Sequence, residues 1–321
     1  MAAGGNIAIG TGAFETLDEF ERPGQLRRAV HVWLRKPLGL FGLVVILILA
    51  FMATFAPLLQ RYEPDQPFQI LNPNYGSASD DVFSDSGDQY ILDHNAAPSM
   101  KHWLGTDDGA RDTWSRIVWG ARRSLTISVT SLLIAVSVGT LLGIVSGYFG
   151  GLFDTLFQRL LDSVQAFPPL LLVILAATAF ELSVRNIVLT LALVGAPQVS
   201  RLVRGNTLAL REMPYIEAGR VVGATSWRIM FRHILPNSWA TIIVVFTIGI
   251  GTVIVTEAAL SFLAVSPPGI SWGYMLFVGV SFIQSSPWQS LMAGSAITMA
   301  VLAFNLMGDA LRDILDPRLR I

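Results

Sequence analysis

The sequence predicts an all-α polytopic membrane protein with six transmembrane helices and one long extracytoplasmic insertion between the first and second. Three observations carry this reading. Of 321 residues, 52% are apolar and only 14% charged, whereas a soluble domain carries roughly 25% charged residues. The mean hydropathy is +0.55. The apolar residues lie in long blocks rather than at the spacing of an amphipathic helix or a half-buried strand. Overall disorder is excluded, because disordered chains are polar and highly charged.

A helix rises about 1.5 Å per residue, so roughly 20 apolar residues cross the hydrocarbon core. Uncharged runs of that size place the first span at 38–60 and the second at 124–153. The third, 163–180, is on the short side. The fourth, 186–200, extends to 208 if Arg201 and Arg204 lie near headgroups or face other protein. The fifth is 234–256. Residues 258–308 then carry no charge for 51 positions. Pro267-Pro268-Gly269 and Ser271-Trp272-Gly273 break that run, because proline removes a donor and glycine weakens a helix. The stretch 274–286 is too short to span and reads as a loop or re-entrant segment. The sixth span is 288–308. The first segment is expected to be a true span, because its apolar stretch is too long for a signal peptide, starts at residue 38 and has no A-x-A site after it.

The resulting organisation is a tail at 1–36, the first helix within 37–60, an insertion at 61–123, a core at 124–308 and a second tail at 309–321. With six spans both tails share one side with the connections at 154–162 and 201–233. That side holds fifteen Lys and Arg residues against seven on the other. Both termini are therefore expected in the cytoplasm, since long loops such as 61–123 translocate largely regardless of charge. The basic patch at 22–36 is expected to meet lipid headgroups. Within the insertion, 63–93 has seven acidic residues and no basic one, and its Pro, Asn, Gly and Ser content reads as loop. Residues 105–123 read as helical, with Trp103, Ile117, Val118 and Trp119 on the membrane surface or the protein rim.

Several chemistries are excluded. The only lysines are Lys36 and Lys101. Neither completes G-x-x-x-x-G-K-[ST], the loop whose lysine reaches the β- and γ-phosphates. Any ATP hydrolysis must come from another polypeptide. Cysteine is absent, which removes disulfides, thiolate metal sites and cysteine nucleophiles. His31, His94, His102 and His233 form no H-E-x-x-H or H-x-H pair, so no metal or cofactor is expected in this chain. A net charge of −1 gives no footprint for nucleic acid.

The most informative stretch is 201–237, RLVRGNTLALREMPYIEAGRVVGATSWRIMFRHILPN. Pro214 stands at the first turn of a helix. Glu217, within about one turn, meets the positive end of its dipole. Gly223 is a stop signal, and Thr225 or Ser226 caps a second short helix. That helix is expected to end at Leu235-Pro236-Asn237, where the next span begins. Ala218, Gly219 and Gly223 would let another backbone approach closely. Two readings stand on physics alone: an elbow that docks in a partner's groove, or an ordinary amphipathic connector at the membrane surface.

Glu217-Ala218-Gly219, then Gly223, then Ile234-Leu235-Pro236 resembles the EAA loop of ABC importer permeases, with Gly219 in place of the second alanine and His233 in the isoleucine slot. The form His233-Ile234-Leu235-Pro236-Asn237 is similar to the peptide/nickel branch. Two other stretches resemble the DppC/OppC-type inner-membrane subunit of that branch. One runs from Leu104-Gly105-Thr106-Asp107-Asp108 through Arg111-Asp112 and Ser115-Arg116 to Ser124-Leu125. The other is NLMGDALRDILDPRLR at 305–320. Shorter matches are Asp154, Asp162, Phe167-Pro168, Glu257 to Leu263 and Pro287-Trp288.

The resemblance implies a type I ABC importer permease fold and half of a translocation pathway. It implies a second homologous permease (DppB/OppB-like), two ATPase subunits that bind ATP and Mg, an extracytoplasmic solute-binding protein, and a di- or oligopeptide as substrate. The coupling loop is 209–236, with its elbow at 213–236. By residue match, Glu217, Ala218, Gly219, Arg220 and Gly223 would lie at the ATPase contact.

Other residues have two readings each. Asp107, Asp108, Arg111 and Asp112 either face the binding protein or form local ion pairs with Arg116, Arg122 and Arg123. Glu257 is either a proton relay or a carboxylate near the outer interface, hydrogen-bonded to neighbouring helices or water. Glu181 and Arg185 are expected to be solvated, and His233 to be a polar residue of the elbow. Asp309, Arg312, Asp313, Asp316 and Arg318 suit an ion-pair lattice. Rival readings are the same architecture carrying nickel or an oligosaccharide, a stand-alone secondary carrier, and an intramembrane hydrolase. The last would need a Ser/His or paired-Asp site that the spans lack.

Overall fold

The structure is a computed structural model, and it describes residues 36–71, 90–267 and 269–315. Its helices run α1 (Pro37–Thr54), α2 (Ala56–Leu59), α3 (Thr113–Phe149), α4 (Gly151–Gln165), α5 (Pro169–Ala179), α6 (Val184–Arg211), α7 (Pro214–Val221), α8 (Ser226–Ile229), α9 (Leu235–Phe262), α10 (Trp272–Val280) and α11 (Trp288–Leu315). Two three-residue strands, β1 (Gln69–Leu71) and β2 (Tyr90–Leu92), pair antiparallel with Ile70 opposite Ile91. Among the described residues, five helices are long and apolar enough to cross a membrane, or six if the bent pair α4–α5 counts as one span. The basic patch at 22–35 lies outside the described residues, as do Asp316 and Arg318.

Close approach of backbones organises the bundle. On α3, Gly139, Gly143 and Gly147 recur every fourth residue and face α6. A Cβ on Gly143 would sit 2.5 Å from the Ser200 carbonyl oxygen, and one on Gly139 2.6 Å from that of Ala196. Between helices in lipid, packing of small residues replaces the missing hydrophobic drive. α1 uses the same device against α11, where a Cβ on Gly42 would meet the Ala303 carbonyl oxygen at 2.7 Å. Lys36 and Asp313 pair across the end of this contact. Asp309 and Arg312 form no ion pair among the described residues, so the expected lattice reduces there to one bridge.

Several expected boundaries move. The first span ends at Thr54, and Pro57 starts a separate turn. α3 begins at Thr113, eleven residues before the expected start, because Asp112 caps it; residues 105–112 form a tight turn instead of helix. The 154–162 connection is itself helical. Gly150 and Gly151, both with positive φ (65° and 62°), turn the chain sharply from α3 into α4, a conformation glycine adopts without Cβ strain. The expected third span is instead covered by two helices bent by 81° around Pro168 and Pro169, where a proline restricts the residue before it and removes a donor. The fourth helix stays continuous to Arg211.

The 274–286 stretch overlaps α10, which starts at Trp272 and is nine residues long and so about 13 Å. Its short length agrees with a segment that does not cross. Trp272 is fully buried and donates from Nε1 to the Ile117 carbonyl at 3.0 Å. Gly120 leaves room for that indole, since a Cβ there would meet Trp272 Cδ1 at 2.7 Å.

Candidate functional site: an exposed helical elbow

α7 starts with Pro214 in its first turn, carries Glu217 there, and ends before Gly223 at φ 82°. Thr225 caps α8, accepting from the Arg228 N–H at 3.3 Å. The expected break at Leu235-Pro236-Asn237 does not occur. α8 passes through a π-helical turn, Met230–Ile234, directly into α9. The Leu235 N–H bonds to the Met230 carbonyl five residues back. A wider turn just before Pro236 absorbs the proline ring that would clash with a carbonyl at α-helical spacing. The elbow is therefore mechanically continuous with the fifth span.

The elbow is anchored from within. Ile216 is 1% exposed and packs in one core with Ile229, Met230 and Ile234. Arg220 lies over the Tyr148 ring with its guanidinium carbon 5.6 Å from the centroid. Arg211 donates to the carbonyls of Gly147 and Tyr148, both at 3.3 Å. These acceptors lie at the C-terminus of α3, where a cation is favoured.

The opposite face is open. Glu217, Ala218, Arg220 and Gly223 are exposed and Gly219 is half-buried. A Cβ on Gly219 or Gly223 would meet nothing within 4 Å. The small size of Gly219 is therefore not required by packing among the described residues. Val221 and Val222 are each 82% exposed, and Trp227 is 60% exposed. Sequence reasoning missed these three. The available signal was two adjacent β-branched residues followed by an aromatic in a charged loop, where no apolar period assigns them to a core.

At the other end of α3 the acidic residues divide. Asp107 and Asp112 are fully buried and turn inward, the geometry of local pairing rather than of a side chain facing outward. Asp107 accepts from the Gly109 and Arg111 N–H groups at 2.9 and 2.8 Å and pairs with Arg111 and Arg116. Asp112 accepts from Ser115 N–H at 2.9 Å and contacts His102 Nδ1 at 2.9 Å. Asp108 and Arg111 keep 31% and 27% of their side chains exposed. Ser115 Oγ accepts from the N–H groups of Arg61 and Tyr62, and Arg116 donates to Asp65 Oδ1 at 2.8 Å. Asp107 and Asp112 thus form a knot that fastens the insertion to the top of α3.

Glu257 is buried, with its carboxylate accepting from Ser261 Oγ at 2.9 Å and Ser124 Oγ at 3.2 Å. Arg123 nearby donates to the Pro267 carbonyl at 2.8 Å. The hydrogen-bonded reading of Glu257 describes this geometry.

A multi-helix membrane bundle with an exposed helical elbow is a class found among membrane-embedded permease components, and similarity to known proteins places the chain there. The chain belongs to the family of binding-protein-dependent transport system inner membrane components, which it matches over residues 139–321. Residues 24–77 match the N-terminal TM domain of oligopeptide transport permease C. The chain is 40% identical over 281 residues to the glutathione transport system permease protein GsiD of Pectobacterium atrosepticum, covering 87% of this chain and 86% of that one. It is 38% identical over 307 residues to the dipeptide transport system permease protein DppC of Alkalihalophilus pseudofirmus, covering 94% and 93%. The GsiD protein of Escherichia coli is 35% identical over 305 residues, covering 93% and 94%. The chain is accordingly a multi-pass inner-membrane permease of the OppC/DppC-like branch of ABC importers, and not itself an ATPase.

Proposed function

We propose that this protein is one of two permease subunits of an ATP-driven importer for di- or oligopeptides. The relatives named for dipeptide and glutathione transport support a short-peptide cargo, since glutathione is itself a tripeptide. A second homologous permease completes the pathway. Two ATPase subunits bind ATP and Mg and dock on the elbow at 213–236. A solute-binding protein docks on the side of the 61–123 insertion, where Asp108 and Arg111 are accessible. The Lys and Arg asymmetry supports cytoplasmic termini.

One observation carries the coupling role. The elbow has a buried anchor, Ile216, and a face of Glu217, Val221 and Val222 that no other described residue covers. Displacement of that face is transmitted through the unbroken π-turn to α9. Co-purification of the tagged chain, with mass spectrometry of its partners, tests the assembly. The expected result is two ATPase subunits, a second permease and a binding protein. Glu217→Arg is expected to release the ATPases while the permease pair persists. Uptake of a peptide into liposomes by this chain alone would overturn the reading.

A further inference from the structure

The polar face of α4 and the outward face of α6 enclose an open cleft of about 850 Å³, bordered by Gln158, Arg159, Asp162, Gln165, Arg201 and Arg204. A second cleft of about 590 Å³ shares Gln165 and Arg201 and continues past Gln198 to Val194. Arg204, Arg201, Gln198 and Val194 are successive turns of one face of α6, so the two clefts form a single groove along that helix. It begins near the elbow end of the bundle, two turns before Arg211.

Polar groups along a helix that crosses a membrane face protein or a water-filled path. The charges in the groove are not equivalent. Arg204, which borders the cleft, is tied to Asp154 outside its lining, through Nε at 2.6 Å and a second nitrogen, and Asp154 is also held by Ser146. That pair is structural, with Asp154 buried. Asp162 and Arg201 pair at the rim, and each keeps 56% of its side chain exposed. An exposed pair of this kind contributes little to stability, and its two charges can exchange partners at small cost. Next to it the groove turns apolar at Val164, Phe167 and Val194.

We propose that this groove is the chain's share of the translocation pathway, and that Asp162 and Arg201 form a station for a solute carrying both an ammonium and a carboxylate. The ammonium takes Asp162, the carboxylate takes Arg201 in a bidentate pair, and side chains lie towards Phe167 and Val194. This rests on the short-peptide reading above and adds the recognition of both peptide ends. The cleft carries Arg159 and Arg204 besides Arg201, so an anion alone would be attracted; what an anionic headgroup does not need is Asp162 paired to Arg201 at the rim.

The test uses the complete transporter in proteoliposomes, with its binding protein and ATPases. ATP-driven uptake is measured for dialanine, N-acetyl-dialanine and dialanine amide. Because the binding protein is constant, a change in the ratio between peptides on mutating this chain reports the groove. Asp162→Asn is expected to lower the dialanine to N-acetyl-dialanine ratio at least about tenfold, the effect of losing one charge-assisted bond. Arg201→Gln is expected to do the same for the dialanine to amide ratio. The double exchange Asp162→Arg with Arg201→Asp is expected to restore uptake of dialanine above either single variant. Ratios unchanged in both single variants, with wild-type uptake of dialanine intact, would overturn the station alone. Effects that disappear when phosphatidylglycerol is omitted from the vesicles would assign the groove to lipid and overturn it too. Wild-type protein that carries no dialanine would overturn the peptide reading and the station with it.

Discussion

Arg220 on the elbow lies 5.6 Å above the ring of Tyr148, the penultimate residue of α3. The elbow is thus tied to the helix that packs most extensively on α6, as well as to the span it continues into. A cation over an exposed ring is worth about 0.5–1 kcal/mol. Arg220→Ala and Tyr148→Ala are each expected to lower uptake per ATP hydrolysed by about two- to fivefold. Tyr148→Phe keeps the ring face and is expected to match wild type. The ratio of substrate moved to phosphate released in proteoliposomes checks this.

Gly223 separates two effects of substitution. There is open space around it, so volume is tolerated, but its φ of 82° disfavours a branched side chain. Gly223→Val is expected to cost about 1–2 kcal/mol locally and to disorder the elbow, whereas Gly223→Asn is expected to retain it. A Cβ on Gly219 meets nothing within 4 Å among the described residues, so the Gly219→Leu permease is expected to insert and fold normally and fail only to retain the ATPases. Affinity capture of the ATPases reads all three variants.

Asp112 caps α3 and holds His102. Asp112→Ala is expected to destabilise the protein by about 2–4 kcal/mol, combining a lost cap with a buried imidazole left without its partner. Asp112→Asn, which can still accept from Ser115 N–H, is expected to recover at least half of that. Thermal unfolding of the detergent-solubilised protein measures the difference.

Gly143 and Gly205 make a matched pair within helices. A Cβ on Gly143 would press on the Ser200 carbonyl, while one on Gly205 meets nothing within 4 Å. Gly143→Ala is expected to cost about 1–3 kcal/mol by overpacking. Gly205→Ala is expected to be neutral or to stabilise by up to about 1 kcal/mol, through helix propensity. The same thermal assay distinguishes them, and equal melting temperatures would refute the packing role of Gly143.

Hydropathy located the five described helices long and apolar enough to cross, because burial in lipid demands long uncharged runs whatever the neighbours are. It misplaced their ends, because an end depends on one cap or one turn. Asp112 extends α3 outward, and Gly150-Gly151 converts an expected connection into α4. The hairpin of β1 and β2 escaped notice because its two strands are three residues each and meet across a long sequence separation.

The sequence by itself determined the membrane class, the absence of a phosphate loop, and the elbow with its proline start and glycine stop. These are matters of composition and of local backbone chemistry, and such chemistry acts over a few residues. Only the tertiary structure decided which face of the elbow is free. Ile216 and Val221 are both aliphatic residues of α7, and packing buries the first and exposes the second. It also decided that Asp107 and Asp112 turn inward while Asp108 stays open, and that Asp162 meets Arg201 across 39 residues of chain. A charge pair of that separation is set by how α4 and α6 come together in space, which no periodicity within either helix contains.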